Sequence, residues 1–164
     1  GSGRSSSILK SLEASSKEGR PKQAQKPVRK SLSPHDGTTM MMNIHAAWIG
    51  FLLGCVAGAV PGLFFHDSNW LGGYASWERR MIRLAHIAFF GIGFLNLSFA
   101  LTVRALGIEA GLNTASVLLI AGAIAMPSVC YLSAWRPPFR HLFFIPAVCV
   151  AIGIALFAWR LYTT

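Results

Sequence analysis

The sequence predicts an all-α integral membrane protein: four transmembrane helices in an up-down-up-down bundle, preceded by an extended basic N-terminal tail. Only 13% of the 164 residues are charged, against about 25% in a soluble domain. Asp, Glu, Lys and Arg are missing altogether from residues 37–66, 84–103, 110–135 and 141–159. Because about 20 apolar residues cross a hydrocarbon core of roughly 30 Å as a helix, these stretches exclude a soluble enzyme, a disordered protein and a nucleic-acid-binding domain.

The charge-free stretches predict where the helices lie. They place helices over residues 44–65, 80–103, 112–135 and 140–162, which makes 40–164 a four-helix transmembrane domain. Aromatic residues at the predicted ends match the belts that mark membrane interfaces: Trp48, Trp159 and Tyr162 on the side of the termini, and Trp70, Tyr74, Trp77, Tyr131 and Trp135 on the other. The links between helices are short, so consecutive helices are expected to be antiparallel.

Residues 1–39 differ from the rest in composition. They hold eight of the fifteen Lys and Arg residues, many serines and no aromatic residue, so we expect a low-complexity tail without its own core. One interpretation is a solvated extension. The other is a basic arm that contacts partner subunits or anionic lipid headgroups through Lys22, Lys26, Arg29 and Lys30. Without aromatic residues to stack on bases, nucleic-acid binding is not expected.

The distribution of basic residues bears on orientation. Without the tail, the loops on the side opposite the termini carry more arginines, which would place both termini outside the cytoplasm. Counting the whole tail reverses the balance, with ten basic residues against five. We therefore predict a multi-pass protein with both termini on the cytoplasmic side.

Two helices carry small residues at four-residue spacing, the pattern of a glycine zipper. Small side chains let helix backbones approach closely in a membrane, so these residues are predicted helix-packing interfaces, within the chain or with another subunit. They are Gly50, Gly54, Gly58 and Gly62 on the first helix and Ala147, Ala151 and Ala155 on the fourth.

Few polar residues in the predicted spans could support chemistry. His86 lies inside the second helix, and His66, Asp67 and His141 lie near the same membrane face. Imidazole is a common ligand of haem iron and copper, so these four are candidate cofactor or metal residues, although hydrogen bonding to water or headgroups also explains them. Asn96 places a polar amide near the middle of the second helix, so we expect it to be buried and to hydrogen-bond to a neighbouring helix.

The stretch of residues 83–96, which contains His86 and Asn96, resembles the His-bearing helices of small membrane proteins associated with respiratory oxidases. The likeness covers 14 residues and identifies no family. Two functions remain open. The first is a non-catalytic accessory or structural subunit of a larger membrane complex in energy conversion, in contact with other membrane subunits and bound lipids. The second is a small haem- or copper-binding electron carrier that uses His86 and His141.

Overall fold

The computed structural model describes residues 34–64, 66–108 and 111–163, and it is helical. Its elements are α1 (Pro34–Leu63), a 3-10 turn (Trp70–Gly72), α2 (Trp77–Leu106), α3 (Asn113–Trp135), a 3-10 helix (Pro137–Phe143) and α4 (Phe144–Tyr162). Four segments are long and apolar enough to cross a membrane, namely Met40–Leu63, Trp77–Leu106, Asn113–Trp135 and Pro137–Tyr162. The prediction of an all-helical, multi-pass membrane protein is confirmed at this level. The tail lysines and Arg29 lie outside the described residues.

Several helix boundaries differ from the sequence prediction. Helix α2 spans Trp77–Leu106 and so extends three residues beyond the predicted 80–103 at each end. Helix α1 begins at Pro34 and not at residue 44, because apolar runs mark only the part of a helix inside lipid, and Pro at the first helical position favours helix initiation. The fourth helix has a different start as well. Residues Pro137–Phe143 form a 3-10 helix with proline at its first positions, and short 3-10 segments are frequent at the N-termini of α-helices.

The four helices are unequally buried. Helices α2 and α3 pack against each other, α1 packs on α2 and α3, and α4 packs on α3. In the most apolar part of each span, 39% of the residues of α2 and α3 are buried, against 17% in α1 and 11% in the fourth span. Helices α1 and α4 therefore expose most of their apolar surface, which suits contact with lipid or with other apolar helices.

One end of the bundle is closed by an apolar cluster, which we call the closed end. It joins the last turns of α2, the following loop and the first turns of α3. The buried members are Phe99, Val103, Ile108, Leu112, Ala115 and Leu119, with Met40, Val150 and Phe157 packed against them. The ring of Phe157 on α4 meets Phe99 edge to face, at 4.8 Å between centroids. All four helices thus contribute to this cluster.

Candidate functional site

The glycines of α1 lie along its contact with α2. A Cβ placed on Gly54 would lie 2.7 Å from the Phe90 ring, and one on Gly58 would lie 2.5 Å from the imidazole of His86. A Cβ on Gly50 would be 3.4 Å from the carbonyl oxygen of Phe89. Gly62 has nothing within 4 Å of that position. Three of the four predicted packing glycines therefore contact α2 within the chain, and the fourth has open space around it.

The alanines of α4 are placed differently. Ala147, Ala151 and Ala155 are all exposed. The small residue of α4 that meets another helix is Gly153, where a Cβ would lie 3.3 Å from the Ala115 carbonyl oxygen of α3. The predicted alanine stripe is thus a bare face of the molecule, with no helix of this chain against it in the described region.

His86 lies at the seam between α1 and α2. Its Nδ1 is 2.8 Å from the carbonyl oxygen of Gly54, and its ring meets Phe90 edge to face at 5.2 Å. Because a carbonyl oxygen only accepts hydrogen bonds, Nδ1 must carry the proton and donate it. In the neutral imidazole, Nε2 is then left with its lone pair, the arrangement that a histidine adopts when it binds a metal through Nε2.

The other candidate ligands do not gather around His86. His66 is exposed and pairs through Nδ1 with the Leu63 carbonyl at 3.0 Å. The Asp67 carboxylate accepts the Asn69 backbone N–H at 2.9 Å, and His141 is exposed on the 3-10 helix. Within the residues that the structure describes, no three His, Cys, Asp or Glu side chains are grouped closely enough to hold a metal ion.

Two buried amides link the helices. Asn96 is fully buried and donates through Nδ2 to the carbonyl oxygens of Ile92, at 3.0 Å, and of Leu119 on α3, at 3.2 Å. Asn43, also fully buried, donates to the Ser116 hydroxyl and so ties α1 to α3 next to the closed end. Sequence reasoning missed Asn43, because it lies one residue before the predicted start of the helix. Its amide within a run of apolar residues is the signal that could have revealed it.

Two arginines on successive turns of α2 were also missed as site residues. Arg79 is only 6% exposed, donates through Nη2 to the Asp67 carbonyl oxygen at 2.7 Å and lies 5.3 Å from the Trp70 ring centroid. Its Nε is buried without a hydrogen-bond partner. The guanidinium of Arg83 reaches back towards the loop, with Nη2 3.3 Å from the Tyr74 carbonyl oxygen and its central carbon 4.5 Å from the Tyr74 ring centroid.

A cleft of about 290 Å³ opens beside these groups, between the end of α1 and the start of α2. Its two polar lining residues are Arg83 and His86, and the rest of its wall is Ala57, Gly58, Pro61, Ile82 and Ile87. We call it the α1–α2 cleft. Arg79, Trp70 and Tyr74 surround a much smaller adjoining space that shares Pro61, Ile82 and Arg83 with it.

A second, apolar groove runs between α1 and α3. One part, of about 530 Å³, lies between Met42 and Tyr131, and a neighbouring part of about 410 Å³ continues to Trp70. Phe89 of α2 lines both parts. The groove begins at Met42, next to the hydrogen bond by which Asn43 and Ser116 tie α1 to α3.

No known protein family matches the chain, and neither a characterised protein nor a solved structure is significantly similar to it.

Proposed function

We propose that this protein is a non-catalytic accessory or structural subunit of a larger membrane protein complex. The observation that carries the proposal is the bare alanine face of α4, formed by Ala147, Ala151 and Ala155. Lipid tails are as apolar as leucine, so helix association in a bilayer depends on close packing, and small residues mark the faces where helices meet. Gly50, Gly54 and Gly58 of α1 already have their partner helix within the chain, whereas these alanines have none among the described residues.

A role in respiratory or photosynthetic electron transfer is the more specific form of this proposal. It rests on the likeness of residues 83–96 to the His-bearing helices of oxidase-associated proteins. In this role the chain would hold or space neighbouring subunits and their lipids and would carry out no reaction itself.

Co-purification from native membranes tests the proposal. The exchange Ala151→Leu should leave the chain inserted but release it from its partner subunits, because the added branched side chain separates the two backbones. Ile154→Leu, at an exposed position of the same helix, is the matched control and should keep the partners. A chain that migrates alone in mild detergent, with or without the exchange, would contradict the assignment.

The proposal also includes the direction in which each span crosses the membrane. Along α1, the positions Gly50, Gly54 and Gly58 meet α2 at Gly93, Phe90 and His86, in descending order. Gly122 of α3 contacts Val150, and Gly153 of α4 lies against Ala115. These contacts support an up-down-up-down order with both termini on one side, for which we propose the cytoplasmic side.

Cysteine labelling in a variant without Cys55, Cys130 and Cys149 tests this topology. A cysteine at position 163 should react from the cytoplasmic side, and a cysteine at position 70 should react from the opposite side. Labelling of both positions from one side would refute four spans, and the reverse pattern would invert the orientation.

The basic tail is proposed to strengthen attachment. Lys22, Lys26, Arg29 and Lys30 would contact acidic groups of partner subunits or lipid headgroups. Deletion of residues 1–33, which leaves α1 intact, should weaken attachment to the complex, and more so at high salt because exposed charge pairs are screened. Full retention of the truncated chain in high salt would disprove this role.

A haem- or copper-binding electron carrier is the second candidate, and His86 is the observation that favours it. Its Nδ1–H is held by the Gly54 carbonyl, which orients the ring and leaves Nε2 as a potential ligand. His141, the proposed second ligand, belongs to the 3-10 helix that packs with α3 and α4, whereas His86 faces α1. An absorption spectrum with metal analysis decides between the candidates: a Soret band or stoichiometric copper that is lost in His86→Ala supports the carrier.

A further inference from the structure

We propose that the α1–α2 cleft is a binding site for one anionic phospholipid, with its phosphate at the guanidinium of Arg83 and an acyl chain along the apolar wall of the cleft. The proposal is independent of the accessory role argued above. It rests on charge balance, on the rigidity of the arginines and on their level in the membrane.

The end of the bundle that contains the cleft carries an excess of positive charge. Its described residues include five arginines and two carboxylates: Arg79, Arg80, Arg83, Arg136 and Arg140 against Asp67 and Glu78. In the described part of the chain, the hydrogen bonds of Arg79 and Arg83 go to backbone carbonyls and not to carboxylates. Arg79 is buried, and Arg83 is half-buried where it lines the cleft. A desolvated cation without a counter-ion is costly, so an anion in the cleft beside Arg83 would compensate this charge.

The two arginines are held in place before any ligand arrives. Arg79 is fixed by the Asp67 carbonyl and the Trp70 ring, and Arg83 by the Tyr74 carbonyl and ring. A planar guanidinium whose rotamer is already restricted loses less entropy when it binds a phosphate. The buried Nε of Arg79 has no hydrogen-bond partner among the described residues.

The level of the site in the bilayer matches a headgroup. Arg83 lies six residues into α2, about 9 Å from Trp77 at 1.5 Å per residue, but its side chain points back towards the start of the helix and reaches Tyr74. Trp70, Tyr74 and Trp77 are the residue types that collect at the membrane interface. The guanidinium is therefore at the boundary between phosphate and acyl chain, and the wall below it is aliphatic apart from His86.

This chemistry selects a phospholipid over a free phosphate ion. A phosphate ion would use the arginine and leave the aliphatic wall of the cleft exposed. Ala57, Pro61 and Ile87 offer an apolar surface that a hydrocarbon chain attached to the phosphate would cover. A zwitterionic lipid would bring the same chain but would leave the positive charge of the region uncompensated.

Lipid titration of the full chain in a neutral detergent, followed by native mass spectrometry, tests the site. Phosphatidylglycerol should bind with one tight site, and phosphatidylcholine with the same chains should bind at least about tenfold more weakly. Arg83→Gln should weaken phosphatidylglycerol binding by about tenfold or more and leave phosphatidylcholine binding unchanged. Arg80→Gln is the matched control, since Arg80 is exposed on the same helix and lines no part of the cleft.

A second variant tests the apolar wall without altering charge. Ala57→Phe should fill the cleft and weaken phosphatidylglycerol binding even if Arg83→Gln proves too unstable to purify. Inorganic phosphate should not compete with the lipid. Equal loss in Arg80→Gln and Arg83→Gln, equal binding of both lipids, tight binding retained in Ala57→Phe, or displacement by inorganic phosphate would each overturn the proposal.

Discussion

The two ends of the four-helix unit are built on different principles. At the closed end, all four helices contribute apolar side chains to one cluster, and the Asn43–Ser116 hydrogen bond joins α1 to α3 beside it. At the opposite end, which we call the open end, the α1–α2 cleft lies next to the part of the groove that reaches Trp70. Among the described residues, Arg79 is buried there and donates to a backbone carbonyl and not to a carboxylate. The closed end is filled by the chain's own apolar side chains, whereas the open end leaves a cleft beside Arg83 and His86.

This difference separates residues that stabilise the fold from residues that are available for binding. The small residues on α1 show it along a single helix. Side chains of α2 occupy the space beside Gly54 and Gly58, whereas the space beside Gly62, closer to the open end, is empty. Substitutions that preserve hydrophobicity should therefore be costly at the closed end and along the α1–α2 contact, and mild where the surface is open.

The largest expected effect is at the closed end. Phe99→Ala removes a ring that is 4% exposed and packed on Phe157. Lipid is as apolar as this cluster, so mainly the cost of the cavity remains, and the free energy of unfolding should fall by about 2–3 kcal/mol. Unfolding by SDS titration from bicelles measures it. Phe94→Ala on the same helix, where the ring is 58% exposed, is the control and should change stability much less. An equal loss of unfolding free energy in both variants would contradict the distinction between the apolar cluster and the exposed surface.

A smaller loss is expected where α1 meets α2. Gly58→Leu places a side chain against the His86 ring and should lower the free energy of unfolding by about 1–2 kcal/mol through overpacking. Gly62→Leu changes the same residue type on the same helix, but into open space, and should be close to neutral in the same SDS titration. If both variants unfold like the parent chain, α1 does not pack on α2 through its glycines.

The smallest effect concerns the hydrogen bond that holds α1 and α3 together. A double-mutant cycle of Asn43→Ala and Ser116→Ala should give a coupling energy of about 0.6 kcal/mol, typical of interhelical hydrogen bonds in membranes. The two substitutions should also increase the distance between α1 and α3 beside the closed end. Cross-linking of cysteines introduced at neighbouring positions would report this change. Strictly additive single effects would show that the pair does not join the helices.

The positions of the four spans could be predicted from the sequence because the physical rule is simple. A bilayer excludes charge, so charge-free stretches of about 20 residues mark where the chain crosses it. The start of α1 could not be predicted in this way, because Pro34 to Thr39 lie outside the apolar run and hydropathy does not show whether they are helical. The 3-10 helix after Pro137 was missed for a related reason. Two prolines end one helix, but they do not fix how the next begins.

The candidate site was harder to predict from the sequence. A four-residue spacing of small residues reveals a helix face for close packing, but it does not show which helix packs against that face. Glycines on α1 and alanines on α4 have the same pattern, yet the first face is covered by α2 and the second is bare. Arg79 appeared as one of several loop arginines. Its burial depends on the Asp67 carbonyl and the Trp70 ring, which come from a loop whose course the sequence does not specify.

Distance measurement between spin labels tests most directly the contrast between the two ends. In a background without native cysteines, one pair of labels at Met41 and Val117 reports on α1 and α3 near the closed end, and another pair at Val60 and Leu132 reports on the same helices at the open end; all four positions are exposed. We predict one narrow distance distribution for the first pair and a broader one for the second. Equally narrow distributions, or a broad distribution beside the closed end, would contradict the account.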